Sequence, residues 1–376
     1  MSGSPSSRHY IRPIVSLGAD TRHLERMRSA PVSHLCGRPD LIFTHVEVMT
    51  RPTAAGRRSR WLVRTLGAAG LDNAEMAVGS GDVARISSMF DALVSPRLPF
   101  AGLAMNRPAI MGIVNVTPDS FSDGGSFDTS QRAIDHALQL ADEGADILDI
   151  GGESTRPGSD AVQLDEELRR VIPVIEGLRA RTDKKISVDT RKAEVMKRAA
   201  AAGADILNDV SALTHDPKAL ETAAATGLPV MLMHAQGDPK TMNDNPQYDD
   251  VVLDVFDFLE ERVAACEAAG IPRTKICVDP GIGFGKHLHH NVAVLAAMSL
   301  FHGLGVPVLL GASRKKLIGQ LCNVDDPRER VPGSIAAVLS SVAQGVQLVR
   351  VHDVAATHQA LAVWRAALAG SEGAAR

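Results

Sequence analysis

Residues 110–125 read IMGIVNVTPDSFSDGG, and the fold is decided by how this stretch changes character. Ile110, Met111, Ile113, Val114 and Val116 form an aliphatic run of the kind found in a strand buried on both faces, as parallel strands covered by helices are. The run stops at Asn115 and Thr117. Beyond it Pro118, Asp119, Ser120, Ser122, Asp123, Gly124 and Gly125 set hydroxyls and carboxylates on a backbone broken by proline and glycine. A polar, ligand-facing loop is therefore expected, followed by a helix from near Ser130.

The same alternation continues along the chain. Apolar runs place strands at 110–116, 146–151, 186–189, 206–210, 230–234, 276–279, 306–312 and 348–352, with helical periodicity between them, for example over 133–143, 166–181 and 251–269. Gly144, Gly203, Gly227, Gly270, Gly305 and Gly345 each stand just ahead of a strand, where a left-handed helix cap is needed. Eight strand–helix units over about 260 residues predict an α/β fold of the (β/α)8 TIM-barrel type, with a doubly wound open sheet as the competing arrangement.

The first 105 residues have a different texture. Their basic residues are Arg and His, the first Lys being Lys184, and 10–17 and 41–50 read as strands. An Arg-rich, acid-poor start also suits an organelle transit peptide, but the strand patterns favour a small N-terminal α/β extension ending near the Pro96 to Pro99 turn. The expected organisation is an extension of unknown role over 1–105, a barrel over 106–370 and a tail over 371–376.

Composition narrows the function. A hydrophobic fraction of 45% with only 3% aromatics makes a core of Ala, Val, Leu and Ile, and a formal net charge of -4 speaks against a nucleic-acid partner. The four cysteines show no CxxC spacing, so neither disulfides nor a zinc site is indicated. No stretch has the apolar length of a membrane span or signal peptide. The reading is a soluble cytoplasmic protein, with no nucleic acid and no membrane as partner.

In a barrel the active site forms at the carboxyl ends of the strands. Those ends read Asn115, Asp149 with Glu153, Asp189, Asn208 with Asp209, His234, Asp279, Ser313 with Arg314 and Lys315, and Arg350 with His352 and Asp353. One such residue is an ordinary helix cap, but eight in succession on one rim call for a ligand, because buried polar groups are costly without partners. Asp189, Asn208 and Asp279 supply the acceptors and amide that read a flat heterocycle with amino and lactam edges. Asn115, Arg350 and His352 suit an anion attended by a hard cation such as Mg2+, and Lys315 fits either group. The loop 151–158, GGESTRPG, can close over a substrate. HLHHN at 287–291 starts a helix without the companion ligands of a metal site, and GIGFGK at 281–286 lacks the ending of a phosphate loop, so flexible packing beside Asp279 is expected of it.

Taken together, NVTPDSFSDGG (115–125), DIGGESTRPG (149–158), SVDT (187–190), Asn208-Asp209, LMHAQGDPKTM (232–242), DPGIGFGK (279–286), Ser313-Arg314-Lys315 and RVHD (350–353) resemble the dihydropteroate synthase family, the folate-pathway enzymes inhibited by sulfonamides. The resemblance covers about two thirds of the chain, in family order, and excludes the extension. It implies condensation of 6-hydroxymethyl-7,8-dihydropterin pyrophosphate with 4-aminobenzoate, giving 7,8-dihydropteroate and pyrophosphate. Carried over by motif, Asp189, Asn208, Met233, Asp279 and Lys315 would bind the pterin. Asn115, Arg350 and His352 would bind the pyrophosphate, with Asn115 also a ligand of Mg2+. Thr155, Arg156, Pro157, Phe284 and Ser313 would frame the aminobenzoate. The catalytic set implied is Asn115, Asp189, Lys315, Arg350 and His352, and a homodimer is the family habit.

The chemistry is coherent. Diphosphate leaves readily once its charge is neutralised, and an aromatic amine is neutral at pH 7, so no strong general base is needed. The family usually carries an aromatic at the position of Ile282, so a stacking contact near the second substrate is expected to be missing. Two other readings share parts of the pattern. A methyltetrahydrofolate-corrinoid methyltransferase would use the pterin carboxylates without a pyrophosphate site, and a non-catalytic pterin-binding paralogue would bind without turnover.

Overall fold

The computed structural model describes residues 8–17, 32–51, 59–65, 70–72, 82–116, 126–154, 161–237, 241–242 and 244–370. Within them, eight parallel strands form the central sheet: β7 Ala109–Asn115, β8 Ile147–Gly151, β9 Lys185–Asp189, β10 Ile206–Asp209, β11 Val230–Met233, β12 Ile276–Asp279, β13 Leu309–Leu310 and β14 Leu348–Val351. They neighbour one another in chain order, and β14 lies between β7 and β13. The ring closes where Val278 N donates to Pro307 O at 3.0 Å and Val278 bridges Val308 in parallel. Closure removes both sheet edges and rules out the open doubly wound alternative.

The seventh strand is shorter than the expected 306–312. Pro307 has no N–H for a ladder, and the chain bends beyond Leu310 toward Arg314, whose φ is 56°. The helices agree with the periodicity at Ser126–Asp142, Leu164–Arg179 and Val251–Ala268. All six glycines read as helix caps have φ between 67° and 108°.

Strand side chains alternate between two cores. Ile110, Val114, Leu148, Ile150, Ile186 and Val188 face the helices. Ala109, Met111, Ile147, Ile206, Met231, Cys277, Leu309 and Leu348 fill the barrel interior, where Phe100 and Met105 join them. The interior is thus packed solid below the site, as the fold requires.

The extension holds an antiparallel sheet of β1 Arg8–Pro13, β5 His45–Arg51 and β6 Ser59–Arg64, and a second of β2 Ser16–Leu17, β4 Leu41–Phe43 and β3 Ser33–His34. The expected single strands over 10–17 and 41–50 are each two strands, broken at 14–15 after Pro13 and at Thr44. A helix at Val83–Val94 completes it. Tyr10 stacks edge-on against Phe256 at 5.6 Å, and Phe256 lies 6.3 Å from Phe301, so extension and barrel share one hydrophobic core. Charge follows the same seam on the 251–268 helix. Tyr10 Oη donates to Asp257 at 2.9 Å, Arg51 reaches Asp254 at 2.6 Å and Asp257 at 3.0 Å, and Arg85 reaches Glu260 at 2.8 Å.

Candidate active site

Strand register builds the first half of the site. Asn115 pairs with Gly151, Gly151 with Asp189, and Asp189 with Asn208, so four adjacent strands end at one level on the carboxyl rim. The glycine in this row matters. A Cβ there would lie 3.5 Å from Asp189 Cβ and 3.9 Å from Asn115 Oδ1, so its absence keeps the gap between them open.

Arg350 ties the row from across the barrel. Its Nε donates to Asp149 Oδ2 at 2.6 Å and its Nη2 to Asp189 Oδ2 at 2.8 Å, while Asn208 Nδ2 approaches the Asp149 carboxylate at 3.3 Å. Asp149 is fully buried and acts as the anchor for both. Burial pushes the Asp189 carboxyl up to about 7; Arg350 opposes this, and Asp149, Asp209 and Glu167 reinforce it.

The second half lies on the next strands. Met233 pairs with Asp279 at the ends of β11 and β12. Asp279 accepts from Gly281 N at 2.7 Å, and burial raises its pKa against the opposing charge of Lys315. Lys315 Nζ donates to Ile282 O at 2.5 Å and lies 4.5 Å from the Phe284 ring centroid. Burial lowers the Lys315 ammonium to about 8, with Asp279 opposing. Gly311 repeats the device of Gly151: a Cβ there would lie 3.4 Å from Asp279 Oδ2 and 3.8 Å from Lys315 Nζ.

Ser313 and His352 complete the rim, with Ser313 Oγ 3.0 Å from His352 Nδ1 and accepting His352 N at 3.1 Å. Between Ser313 and Lys315, Arg314 is left-handed. Its N–H donates to Ser334 Oγ at 2.8 Å, and its Nε to Asp353 Oδ2 at 2.9 Å. The unusual φ separates Arg314 from its two neighbours, which contact the site.

The described residues therefore bring Asn115, Asp189, Asn208, Met233, Asp279, Phe284, Ser313, Lys315, Arg350 and His352 to one rim. Thr155, Arg156 and Pro157 lie outside the described residues, as does the loop at 117–125. Two expected positions have surroundings that residue type did not show. Ile282 is fully buried in the main hydrophobic core, and it meets the site through its carbonyl, which accepts from Lys315. Arg350, grouped by residue type with the anion-binding set, has Nε and Nη2 on Asp149 and Asp189, and so links that set to the heterocycle-reading carboxylates.

Three of the polar strand-end positions serve the fold instead. Asp209 accepts from Ser211 N at 2.6 Å and Leu213 N at 3.1 Å, Glu153 pairs with Arg191 and Lys192, and His234 is buried against Lys286. Residue type could not separate these from ligand-facing groups. The strand-end glycines Gly151 and Gly311 carried a signal that went unread: a glycine where a strand meets a polar rim marks space kept clear.

Residues 111–352 match the family model described as pterin binding enzyme. The dihydropteroate synthase of Escherichia coli (strain K12) is 50% identical over 270 residues, which is 72% of this chain and 95% of that protein. The Xanthomonas albilineans dihydropteroate synthase with 4-aminobenzoic acid superposes with a TM-score of 0.69 at 55% identity, covering 73% of this chain and 98% of that one. The Xanthomonas albilineans enzyme in complex with 7,8-dihydropteroate gives 0.66 at 52% identity over 73% and 99%.

Proposed function

The chain belongs to the dihydropteroate synthase family, and from that premise we propose how its rim performs the folate-pathway condensation of 6-hydroxymethyl-7,8-dihydropterin pyrophosphate with 4-aminobenzoate. The observation that carries the proposal is the continuous row of Asn115, Gly151, Asp189 and Asn208 facing Asp279 and Lys315 over a packed barrel floor.

Asp189, Asn208 and Asp279 hydrogen-bond the amino and lactam edges of the pterin, Met233 packs beside its ring, and Lys315 donates to it. Asn115, His352 and Arg350 receive the diphosphate. Phe284 and Ser313, with Thr155, Arg156 and Pro157, frame the aminobenzoate. The reaction is a dissociative substitution: the methylene carbon parts from the diphosphate oxygen, the amine nitrogen bonds to that carbon, and the nitrogen then loses a proton. The pterin ring stabilises the cationic methylene, and the protein contributes electrostatic stabilisation and positioning.

The donor set also fits Mg2+. Among the described residues no three His, Cys, Asp or Glu side chains are grouped to hold a metal, whereas Asn115 offers a hard amide oxygen beside the open gap. Mg2+ is ordinarily held by one or two protein oxygens together with substrate phosphates and water. Asn115 would be that protein ligand, and the ion would neutralise charge on the leaving diphosphate.

We further propose the organisation of extension 1–105, pterin-binding barrel 106–370 and tail 371–376, the last outside the described residues. A cytoplasmic location is proposed too; among the described residues no helix is long and apolar enough to cross a membrane. A homodimer is proposed from the habit of the family alone, and sedimentation would test it. The decisive assay for the reaction is pyrophosphate release with and without 4-aminobenzoate. Release that ignores the amine, or no release at all, would defeat this reading.

A further inference from the structure

Lys286 and His234 meet beneath the turn 281–286, and the reaction as described uses neither side chain. Lys286 is 4% exposed, and its Nζ lies 2.8 Å from His234 Nδ1, 2.9 Å from Gly281 O, 3.1 Å from Phe284 O and 3.4 Å from His234 O. Burial pushes the Lys286 ammonium down to about 7 against the opposing charge of Asp279, and in its charged form it only donates, so that His234 then accepts at Nδ1 as the neutral Nε2–H tautomer. Burial and Lys286 both hold the His234 pKa well below its ordinary range, in keeping with that assignment.

The surroundings are built to admit this clasp. A Cβ on Gly281 would lie 1.9 Å from His234 O, and one on Gly285 would lie 2.4 Å from Gln236 O, so the turn presses backbone to backbone against the segment after β11. Gly281, Gly283 and Gly285 all have positive φ. The far side of the same turn serves the substrate site through Ile282 O on Lys315 and the Phe284 ring beside it. The turn is tethered at both ends, and at its far end Tyr248 Oη donates to Gly285 O at 2.7 Å and Asn291 Nδ2 to Lys286 O at 2.9 Å. Near Asp279 and Asn291 the backbone has further bonds, Gly281 N to Asp279 at 2.7 Å and Gly283 N to Asn291 at 2.6 Å. Phe284 relies on its own N–H to Gly281 O at 3.2 Å and on Lys286 at its carbonyl.

We propose that Lys286, seated on His234, is a positioning residue that fixes the Phe284 ring for 4-aminobenzoate. This rests on the functional reading above. Without Lys286, Gly281 and Gly283 keep their N–H bonds to Asp279 and Asn291 while the Phe284 carbonyl loses its donor, so loss of the clasp falls mainly on the second substrate.

The test uses the full-length enzyme and steady-state pyrophosphate release. Parent protein with both substrates comes first, since failure there would fault the functional reading and not this one. In Lys286→Met, of similar length but without donors, KM for 4-aminobenzoate should rise about tenfold while KM for the pterin pyrophosphate stays within about twofold. His234→Leu should shift the same constant in the same direction by less, and it decides alone if Lys286→Met does not fold. A double-mutant cycle adds a readout that general destabilisation would not move: Lys286→Met should cost little aminobenzoate affinity on a Phe284→Ala background. Unchanged KM for the amine, equal rises for both substrates, or additivity with Phe284→Ala would each overturn the proposal.

Discussion

Arg350 Nη2 stands 2.8 Å from Asp189 Oδ2, while burial holds the Asp189 pKa up to about 7. A carboxyl with a raised pKa binds its proton more tightly when folded. Its contribution therefore favours the fold at low pH and is lost as pH climbs from the ordinary carboxylate range through about 7. Asp189→Asn keeps an acceptor for Arg350 but cannot ionise. Its Tm relative to the parent should rise between pH 5 and pH 8, while kcat/KM for the pterin pyrophosphate falls about 100-fold. Thermal melts across that range check the sign, and a pH-independent Tm difference would contradict it.

Asn115 offers an oxygen beside the gap left by Gly151. Asn115→Ala should raise the Mg2+ concentration needed for half-maximal turnover about tenfold and lower kcat. An unaltered Mg2+ titration would remove Asn115 from the ion's surroundings.

Lys315 has its ammonium pushed down to about 8, so the parent enzyme loses this positive donor as pH rises beyond that value. The kcat/KM for pterin pyrophosphate should fall along that limb. Lys315→Arg should move the limb to higher pH, because a guanidinium keeps its proton. A limb unmoved in the variant would assign it to another group.

Gly281 and Gly227 have nearly the same φ, 70° and 67°, in opposite surroundings. A Cβ on Gly281 would meet His234 O at 1.9 Å, whereas one on Gly227 would meet nothing within 4 Å. Gly227→Ala should cost only the left-handed penalty of about 1 kcal/mol, and Gly281→Ala about 3 kcal/mol or more. Denaturant unfolding of the pair separates conformational strain from steric clash.

Removing residues 1–95 would uncover Phe256 and Phe301 and strip Asp254, Asp257 and Glu260 of Arg51, Tyr10 and Arg85. The truncated barrel should unfold at lower temperature and aggregate, as newly exposed apolar patches do. A truncated protein as soluble and heat-stable as the parent would show that the shared core adds nothing to stability.

How much could be read from the letters alone depends on how local the cause is. Apolar runs at 110–116 and 348–352, the helical periods between strands and the six cap glycines act over a few residues, so the barrel was legible, as was the identity of Asp189, Asn208, Asp279 and Lys315 as rim groups. Tertiary packing decided what lies between distant positions. It set Arg350 on Asp149 and Asp189, buried Ile282, turned His234 and Lys286 into a clasp under Phe284, and seated Tyr10 on Phe256. Hydrophobic periodicity records which face of an element is buried, but the partner of a buried charge is chosen by strand register and barrel closure. Those join residues more than two hundred positions apart, such as Leu348 with Ala109 and Arg350 with Asp149, which no local pattern encodes.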